Sequence, residues 1–359
     1  MKDWWLVSII LLNYNGKQFN KNCIASILLQ TYKNYEIIFV DNKSTDGSVE
    51  EIEDFFYKEI SSWKIKIVKN EENLWFAWWN NVWVMNSSKK AKYIRLLNND
   101  TIVDENSLME LVKWFESDRE LWAVSSIILD KWQELQINKM TENWMVRIMS
   151  PFWLQVWEKA NVKNNILYTN FLCGCSFMYK KSLVEKPFFD FYRIYAEDLQ
   201  LSRELILKWY KLWICKNSKV YHFWSATMNK MPYTKIYLNT RNLMLNYHAF
   251  INGSSRVKIF VPRLIFFLLC MIINRSDFIT CIKANRNSML WLRKNKKYVN
   301  LVRERVNEWR NISEMEFLST MSCKLVEDDY LHPNSLKQKL INIINFSNRL
   351  YYKIFKIIK

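Results

Sequence analysis

Over the first 130 residues, apolar runs of strand length alternate with stretches whose apolar positions recur at helical spacing. Leu6 to Leu12 is a nearly continuous apolar run, the pattern of a central parallel strand buried on both faces. Phe19, Cys23, Ile24, Ile27 and Leu28 share one face of a helix predicted from about Phe19 to Gln30. Glu36 to Val40 is the next strand. Ser48 is placed to cap a helix through about Tyr57, and Ile65 to Val68 is a third, short strand. A helix through about Met85 precedes the strand Tyr93 to Leu97. A helix from Asp104 to about Glu116 turns Leu108, Leu111, Val112 and Phe115 inward, and Trp122 to Ile128 is a further strand. This alternation predicts an α/β fold on a parallel sheet with right-handed crossovers.

The pattern blurs from about Lys131 to Leu167, which reads as irregular. Thr169 to Tyr179 reads as a strand, placing Cys173 and Cys175 on one face as small core residues rather than a metal site. Glu197 and Asp198 open a helix whose apolar face includes Leu201, Leu205 and Ile206. Val220 to Phe223 is a short strand carrying His222. Residues 1–250 form the α/β unit, and the character changes beyond it. Val257 to Ile273 is apolar but interrupted by Lys258, Pro262 and Arg263, which predicts an interfacial or packed helix rather than a membrane span. Ser335 to Lys359 mixes apolar residues with Lys337, Lys339, Arg349, Lys353, Lys356 and Lys359 and holds no acid. Two readings stand for it: a basic amphipathic helix lying on anionic lipid, or a helix packed on the rest of the chain with a solvated basic face.

Composition sharpens this picture. The net charge of +17 points to an anionic partner. Seven cysteines, odd in number and mostly isolated, fit a reducing compartment. Met1 to Trp5 runs straight into a strand, so no signal peptide is expected. The chain has only 4 Gly beside 18 Trp, where average usage would give about 25 Gly. In Asn73-Leu-Trp-Phe-Ala-Trp-Trp-Asn-Asn-Val-Trp83, indoles crowd a strand-to-helix connection that calls for residues without side chains. The codon UGA is read as Trp in some genetic codes and Gly in others. Many of these Trp are therefore expected to be Gly in the natural protein, and UGG codons at Trp75, Trp78, Trp79 and Trp83 would end that idea.

Candidate chemistry sits where the strands end. Polar turns follow Leu12, Val40 and Leu97, and in an open α/β sheet ligands collect at the carboxyl ends of strands. Each turn alone is ordinary turn chemistry; three on one edge describe a nucleotide cleft. Asp100, after Asn98 and Asn99, is a carboxylate suited to a hard cation such as Mg²⁺. Glu197 and Asp198 are either favoured by the helix dipole or present a general base. His222, one of three His, is more often a structural residue than a ligand. Neither a Gly-x-Gly-x-x-Gly run nor a Walker-type Gly-Lys-Ser/Thr is found there.

Together these residues resemble the family 2, inverting, GT-A glycosyltransferases, particularly the rhamnosyltransferase-like branch. The resemblance covers about Leu6 to Asn246. It rests on Ser8-Ile-Ile-Leu-Leu-Asn-Tyr-Asn-Gly16, Val40-Asp-Asn-Lys-Ser-Thr-Asp-Gly-Ser48, Asn73 to Asn81, Leu96-Leu-Asn-Asn-Asp100, Tyr195-Ala-Glu-Asp-Leu-Gln-Leu-Ser-Arg203, His222-Phe-Trp-Ser225 and Arg241-Asn242. It implies a Rossmann-like nucleotide-diphospho-sugar transferase (GT-A) fold; beyond it, composition makes 251–359 a helical, basic C-terminal extension, either membrane-associated or packed on the rest of the chain. It implies that Asn13, Tyr14, Asn15, Asp41, Asn73, Asn80 and Asn99 bind the nucleotide-sugar. Asp100, with His222, would hold Mg²⁺ or Mn²⁺, and Asp198, with Glu197 beside it, would deprotonate the acceptor hydroxyl. The implied partners are a nucleotide-sugar donor, a glycan or lipid-linked acceptor and an anionic membrane surface, with no nucleic acid, at the inner, cytoplasmic face of the cell membrane. A degenerate GT-A domain acting as a binding module there is the alternative. Asn98 stands where the family's metal motif often has its first Asp, and Trp75, Trp78 and Trp79 stand where the family has Gly.

Overall fold

The apolar runs become strands of one mixed sheet. The structure, a computed structural model, describes residues 5–73, 75–130, 145–150, 155–159, 162–163, 166–184, 186–223, 232–273, 278–326 and 334–357. Its first half alternates as expected: β1 (Leu6–Asn13), α1 (Lys17–Leu28), β2 (Tyr35–Asp41), α2 (Ser48–Phe55), α3 (Tyr57–Ser61), β3 (Ile65–Lys69), α4 (Trp75–Asn86) and β4 (Ala91–Asn98). These four strands lie parallel in the order β3-β2-β1-β4. The chain continues through β5 (Thr101–Val103), α5 (Ser107–Ser117), β6 (Ala123–Asp130), a hairpin of β7 (Met145–Met149) and β8 (Gln155–Lys159), then β9 (Val162–Lys163), β10 (Ile166–Thr169), β11 (Ser176–Lys180), α6 (Glu197–Leu207) and β12 (Leu212–His222).

Beyond β4 the sheet is not parallel throughout, which corrects the sequence reading. β11 lies antiparallel between β4 and β6, with Phe177 opposite both Leu96 and Ser125. Its residues Ser176 to Tyr179 are all buried, so its apolar run looks like that of a parallel strand and does not reveal its direction. The expected strand from Thr169 to Tyr179 is also broken. Asn170 to Cys175 leave the strand, and a turn at Gly174 and Cys175 is closed by Ser176 N–H donating to the Cys173 carbonyl at 3.2 Å. Cys175 is therefore buried while Cys173 is half-exposed, and the two do not share a strand face. The region expected to be irregular contains the β7–β8 hairpin, with residues 131–144 lying outside the described residues, as do Trp224 and Ser225.

The sheet carries a core on each face. Ile94 and Leu96 of β4 point into one, with Ile10, Val40 and Phe177; Tyr93 and Leu97 point into the other, against α1 and α5. Arg95 shares that second face and is almost wholly buried. It is accommodated by hydroxyls, its Nη2 donating to Ser107 at 2.9 Å, Ser176 at 3.3 Å and Ser126 at 3.4 Å. Burial pushes its guanidinium down to about 10.

The remaining helices are α7 (Pro232–Phe250), α8 (Gly253–Ile273), α9 (Phe278–Lys294), α10 (Lys296–Trp309), α11 (Glu314–Ser319) and α12 (Leu336–Ile354). Ile259, Val302, Phe317 and Tyr352 from this group join the same apolar cluster as Leu199 and Leu205 of α6. Arg305 of α10 meets the fully buried Glu204 of α6 at 2.7 Å. The C-terminal helices thus brace the helix that opens with Glu197 and Asp198.

Candidate active site

Parallel register places Asn13, the last residue of β1, opposite Asp41, the last of β2. Asn13 is fully buried and joins the three polar turns. Its Nδ2 donates to Asp41 Oδ1 at 2.7 Å, Ser48 Oγ at 2.9 Å and Ser44 Oγ at 3.0 Å. Its Oδ1 accepts from Asn20 Nδ2 at 2.8 Å, Asn99 Nδ2 at 3.0 Å and Gly16 N–H at 3.1 Å. Gly16 has to be glycine for this, because a Cβ there would lie 2.2 Å from Asn99 Nδ2 and 2.6 Å from Asn13 Oδ1. Asp41 Oδ2 accepts from Ser44 N–H at 2.9 Å. Asn13, Asp41 and Asn99 therefore shape the edge, while Tyr14 is half-buried and Asn15 is exposed beside it. Asn15 accepts from Thr45 N–H at 2.8 Å, and its own N–H donates to Ser44 Oγ at 2.9 Å.

Two asparagines that sequence reasoning passed over tie in the next loops. Asn42 Nδ2 donates to Asn73 Oδ1 at 2.6 Å, and that oxygen also accepts from Trp75 N–H at 3.2 Å where α4 begins. Asn80 bonds only one turn back, to Phe76 O at 2.9 Å. Its neighbour Asn81 reaches across the fold, donating to Phe188 O at 2.6 Å and Asp190 Oδ1 at 2.9 Å and accepting from Phe188 N–H at 2.9 Å.

Asp100 and His222 come together from residues 122 apart. Asp100 Oδ1 lies 3.1 Å from His222 Nε2, and both side chains are largely buried. Pairing of β5 with β12, His222 opposite Thr101, sets this contact, and Phe223 N–H donates to Asp100 O at 2.9 Å. Asn98 Nδ2 is 3.5 Å from the same imidazole nitrogen. A carboxylate oxygen and an imidazole nitrogen this close fit one divalent cation that takes its other ligands from phosphate and water. Among the described residues no third His, Cys, Asp or Glu joins them.

Asp198 reaches the same edge through the turn before β11. Asn98 N–H donates to Cys175 O at 2.9 Å, and the adjacent Gly174 N–H donates to Asp198 Oδ2 at 2.8 Å. Leu199 N–H donates to Asp198 Oδ1 at 2.7 Å. Burial and then the neighbouring Cys173 thiol push the Asp198 carboxyl up to about 7, against the pull of those amides. Glu197 is buried more deeply, and burial plus Asp198 hold it well above the usual carboxylate range. Of the two adjacent acids, Asp198 is the one poised to exchange a proton near neutrality.

The approach to Asp198 is strained and clamped. Arg193, Tyr195 and Ala196 have φ of 64°, 75° and 60°, and non-glycine residues in that region cost about 1–3 kcal/mol each. Helix α7 holds them. Asn242 Nδ2 donates to the carbonyls of Tyr195 at 2.7 Å, Tyr192 at 2.8 Å and Ile194 at 3.0 Å, and Arg241 Nη2 donates to Phe191 O and Tyr192 O, both at 2.8 Å. Asn242→Ala should leave these carbonyls short of a donor, at a cost of about 1–3 kcal/mol. Thermal melting should fall accordingly, and the rate of any chemistry at Asp198 should fall about tenfold or more. An unchanged rate would show that the clamp does not position Asp198.

The chain is similar to several known proteins. The chain is 32% identical over 136 residues to an uncharacterized glycosyltransferase of Haemophilus influenzae, covering 36% of this chain and 40% of that protein. It is 33% identical over 106 residues to the UDP-Glc:alpha-D-GlcNAc-diphosphoundecaprenol beta-1,3-glucosyltransferase WfgD of Escherichia coli, covering 30% and 39%. It is 26% identical over 209 residues to the minor teichoic acid biosynthesis protein GgaA of Bacillus subtilis, covering 56% and 44%. The chain thus spans less than half the length of each of these relatives. The solved structure of GalNAc-T7 with UDP, GalNAc and Mn²⁺ superposes with a TM-score of 0.56 at 14% identity, over 72% of this chain and 51% of that one, so the sheet and its helices have the GT-A-like fold. The Glycosyl transferase family 2 description matches residues 8–188, half of the chain, which takes in the Asn13 hub, Asp41, Asp100 and the Gly174 turn. On that match the chain belongs to glycosyl transferase family 2.

Proposed function

We propose that the protein moves a sugar from a nucleotide-diphosphate donor to a hydroxyl of a glycan or lipid-linked acceptor, with inversion and with help from a divalent cation. The observation that carries this is the convergence of Asp198, neutral-range and amide-held, on the strand edge where Asp100 pairs with His222. Asp100 and His222 would hold Mg²⁺ or Mn²⁺, which when bound neutralises charge on the departing diphosphate. Asp198 accepts the proton of the acceptor hydroxyl as its oxygen bonds the anomeric carbon and the bond to the diphosphate breaks. Attack from the face opposite the leaving group inverts that carbon. Gly174 and Leu199 amides keep the Asp198 oxygens aimed during the transfer. Tyr14, Asn15, Asn73 and Asn99 are the members of the nucleotide set that keep exposed surface.

The acceptor class follows by likeness from the Escherichia coli relative, whose name gives UDP-glucose as donor and a diphosphoundecaprenol-linked sugar as acceptor. A surface polysaccharide or glycolipid is the corresponding product here, made at the inner face of the cell membrane. No helix among the described residues is long and apolar enough to cross a membrane. A panel of UDP-, dTDP- and GDP-sugars, with and without Mn²⁺, tests the proposal. One donor should turn over in a Mn²⁺- or Mg²⁺-dependent way, and Asp100→Ala should abolish both turnover and metal-dependent nucleotide binding. Full turnover in Asp100→Ala would remove that residue from the site, and no donor turning over would favour a binding module.

A further inference from the structure

We propose that α8, α9 and α12 form a docking face for an anionic lipid bilayer. The surface is built on α12, which carries apolar residues on its outward side as well as against the core. Gln338, Ile341, Asn348 and Tyr352 are turned inward, and Asn348 donates to Cys323 O at 2.7 Å. At 3.6 residues per turn, Leu336, Leu340, Ile343, Leu350 and Ile354 fall on the opposite side. They stand in solvent, with Leu336 74%, Ile343 62% and Ile354 64% exposed. A helix normally puts its apolar stripe toward the core.

Helix α8 adjoins α12, Tyr351 Oη donating to Lys258 O at 2.9 Å, and exposes Val257, Phe260, Val261, Leu264 and Ile265. Helix α9 exposes Ile279, Ile282, Met289 and Leu290 at helical spacing. Scattered exposed apolar residues are unremarkable, but stripes repeated on three helices of one region mark an interaction surface.

Charge identifies the occupant. Residues 251–359 hold 20 Lys and Arg against 8 Asp and Glu, and so supply twelve of the seventeen net positive charges. Helices α8, α9 and α12 together carry eleven Lys and Arg and no Asp or Glu. By contrast α10 and α11, whose Val302, Val306 and Phe317 are buried, carry Glu304, Glu308, Glu314 and Glu316. The three helices with exposed apolar stripes, α8, α9 and α12, are all free of acid. Apolar side chains flanked by cations match the boundary between acyl chains and anionic headgroups. A nucleic acid would take up the cations and leave the stripes in water.

This deepens the reading of the protein as a transferase with a lipid-linked acceptor, and it rests on that reading for its purpose, but its test needs neither donor nor acceptor. The full chain is floated with vesicles of phosphatidylcholine alone, or of phosphatidylcholine with about a third phosphatidylglycerol. Binding is expected to the second and not the first, and to weaken as salt rises. Leu340→Glu with Ile343→Glu, at exposed positions, should lower vesicle partitioning about tenfold or more. Lys339→Glu with Lys353→Glu, which leaves the apolar stripe intact, should do so as well. Both variants should keep the wild-type melting curve and the donor hydrolysis measured in solution. Equal binding to both vesicles, no binding, or binding unaffected by either pair would overturn the proposal. So would a concentration-dependent dimer that Leu340→Glu with Ile343→Glu dissolves, since the face would then pair copies of the chain. Loss of donor turnover with vesicle binding intact would count against the transferase reading alone.

Discussion

Asp198→Asn is expected to lower kcat for sugar transfer about 10²–10⁴-fold, the range for removing a general base. The amide keeps the shape and can still accept from Gly174 N–H, but it cannot take the acceptor's proton. Nucleotide binding should be unchanged, because the edge proposed for the diphosphate is formed by other residues. In the unsubstituted protein, kcat should rise with pH through about 7, where Asp198 loses its proton, and this step should vanish in the Asn variant. The same carboxyl sets a stability trend of opposite sense. Its unfolded pKa lies near 4, so between about 4 and 7 the native state binds the additional proton. Stability should therefore decline as pH rises through that window. Asp198→Asn turning over at the native rate would remove the base from the account.

Trp63→Gly, Trp75→Gly and Trp209→Gly together should raise stability by about 3 kcal/mol, roughly 1 kcal/mol for each left-handed tryptophan relieved. Among the described residues nine non-glycine positions have positive φ, and three of them are Trp, at 60°, 68° and 73°. Eighteen Trp in 359 residues would put fewer than one there by chance. Two have the hydrogen bonding of a helix C-terminal motif that glycine dominates. After α3, Trp63 N–H donates to Ile60 O at 3.0 Å and Lys64 N–H to Glu59 O at 2.8 Å; after α6, Trp209 N–H donates to Ile206 O and Tyr210 N–H to Leu205 O, both at 2.9 Å. The indoles gain little in return, with Trp63 79% and Trp209 63% exposed. Trp75 is the third, at the start of α4 beside Asn73. Trp78 and Trp79 lie within α4 rather than in a loop, so they carry no such backbone signature. Trp114→Gly is the contrasting control. That residue sits inside α5 with its ring 6.0 Å from Trp213, and its loss should destabilise. The gene should read UGA at 63, 75 and 209. UGG codons there, or lower stability in the triple variant, would contradict the glycine assignment.

The strand ends were the legible part of the site, because an apolar run that stops at an Asn or Asp fixes both the strand and its edge. Asn13, Asp41 and Asp100 follow from that, and parallel pairing does bring their turns together. Strand direction beyond β4 was not legible, since β11 is buried on both faces whichever way it runs. Nor was the length of β12, whose eleven residues include Lys216, Asn217 and Lys219 and a register shift between Cys215 and Lys219. The roles of Asn42, Asn81 and Asn242 depend on partners made adjacent only by folding. Asn suits any turn, so the residue type alone carries no signal. The pairing of His222 with Asp100 is of the same kind, set by β5 meeting β12.

The account turns on two acidic side chains serving one cleft, and crystals grown with UDP and Mn²⁺ and measured at the manganese edge test it most directly. It predicts one anomalous peak about 2.1 Å from a carboxylate oxygen of Asp100, with the diphosphate on the far side of the metal and Asp198 across the cleft. A peak away from Asp100, or a nucleotide bound where Asp198 cannot face it, would contradict it.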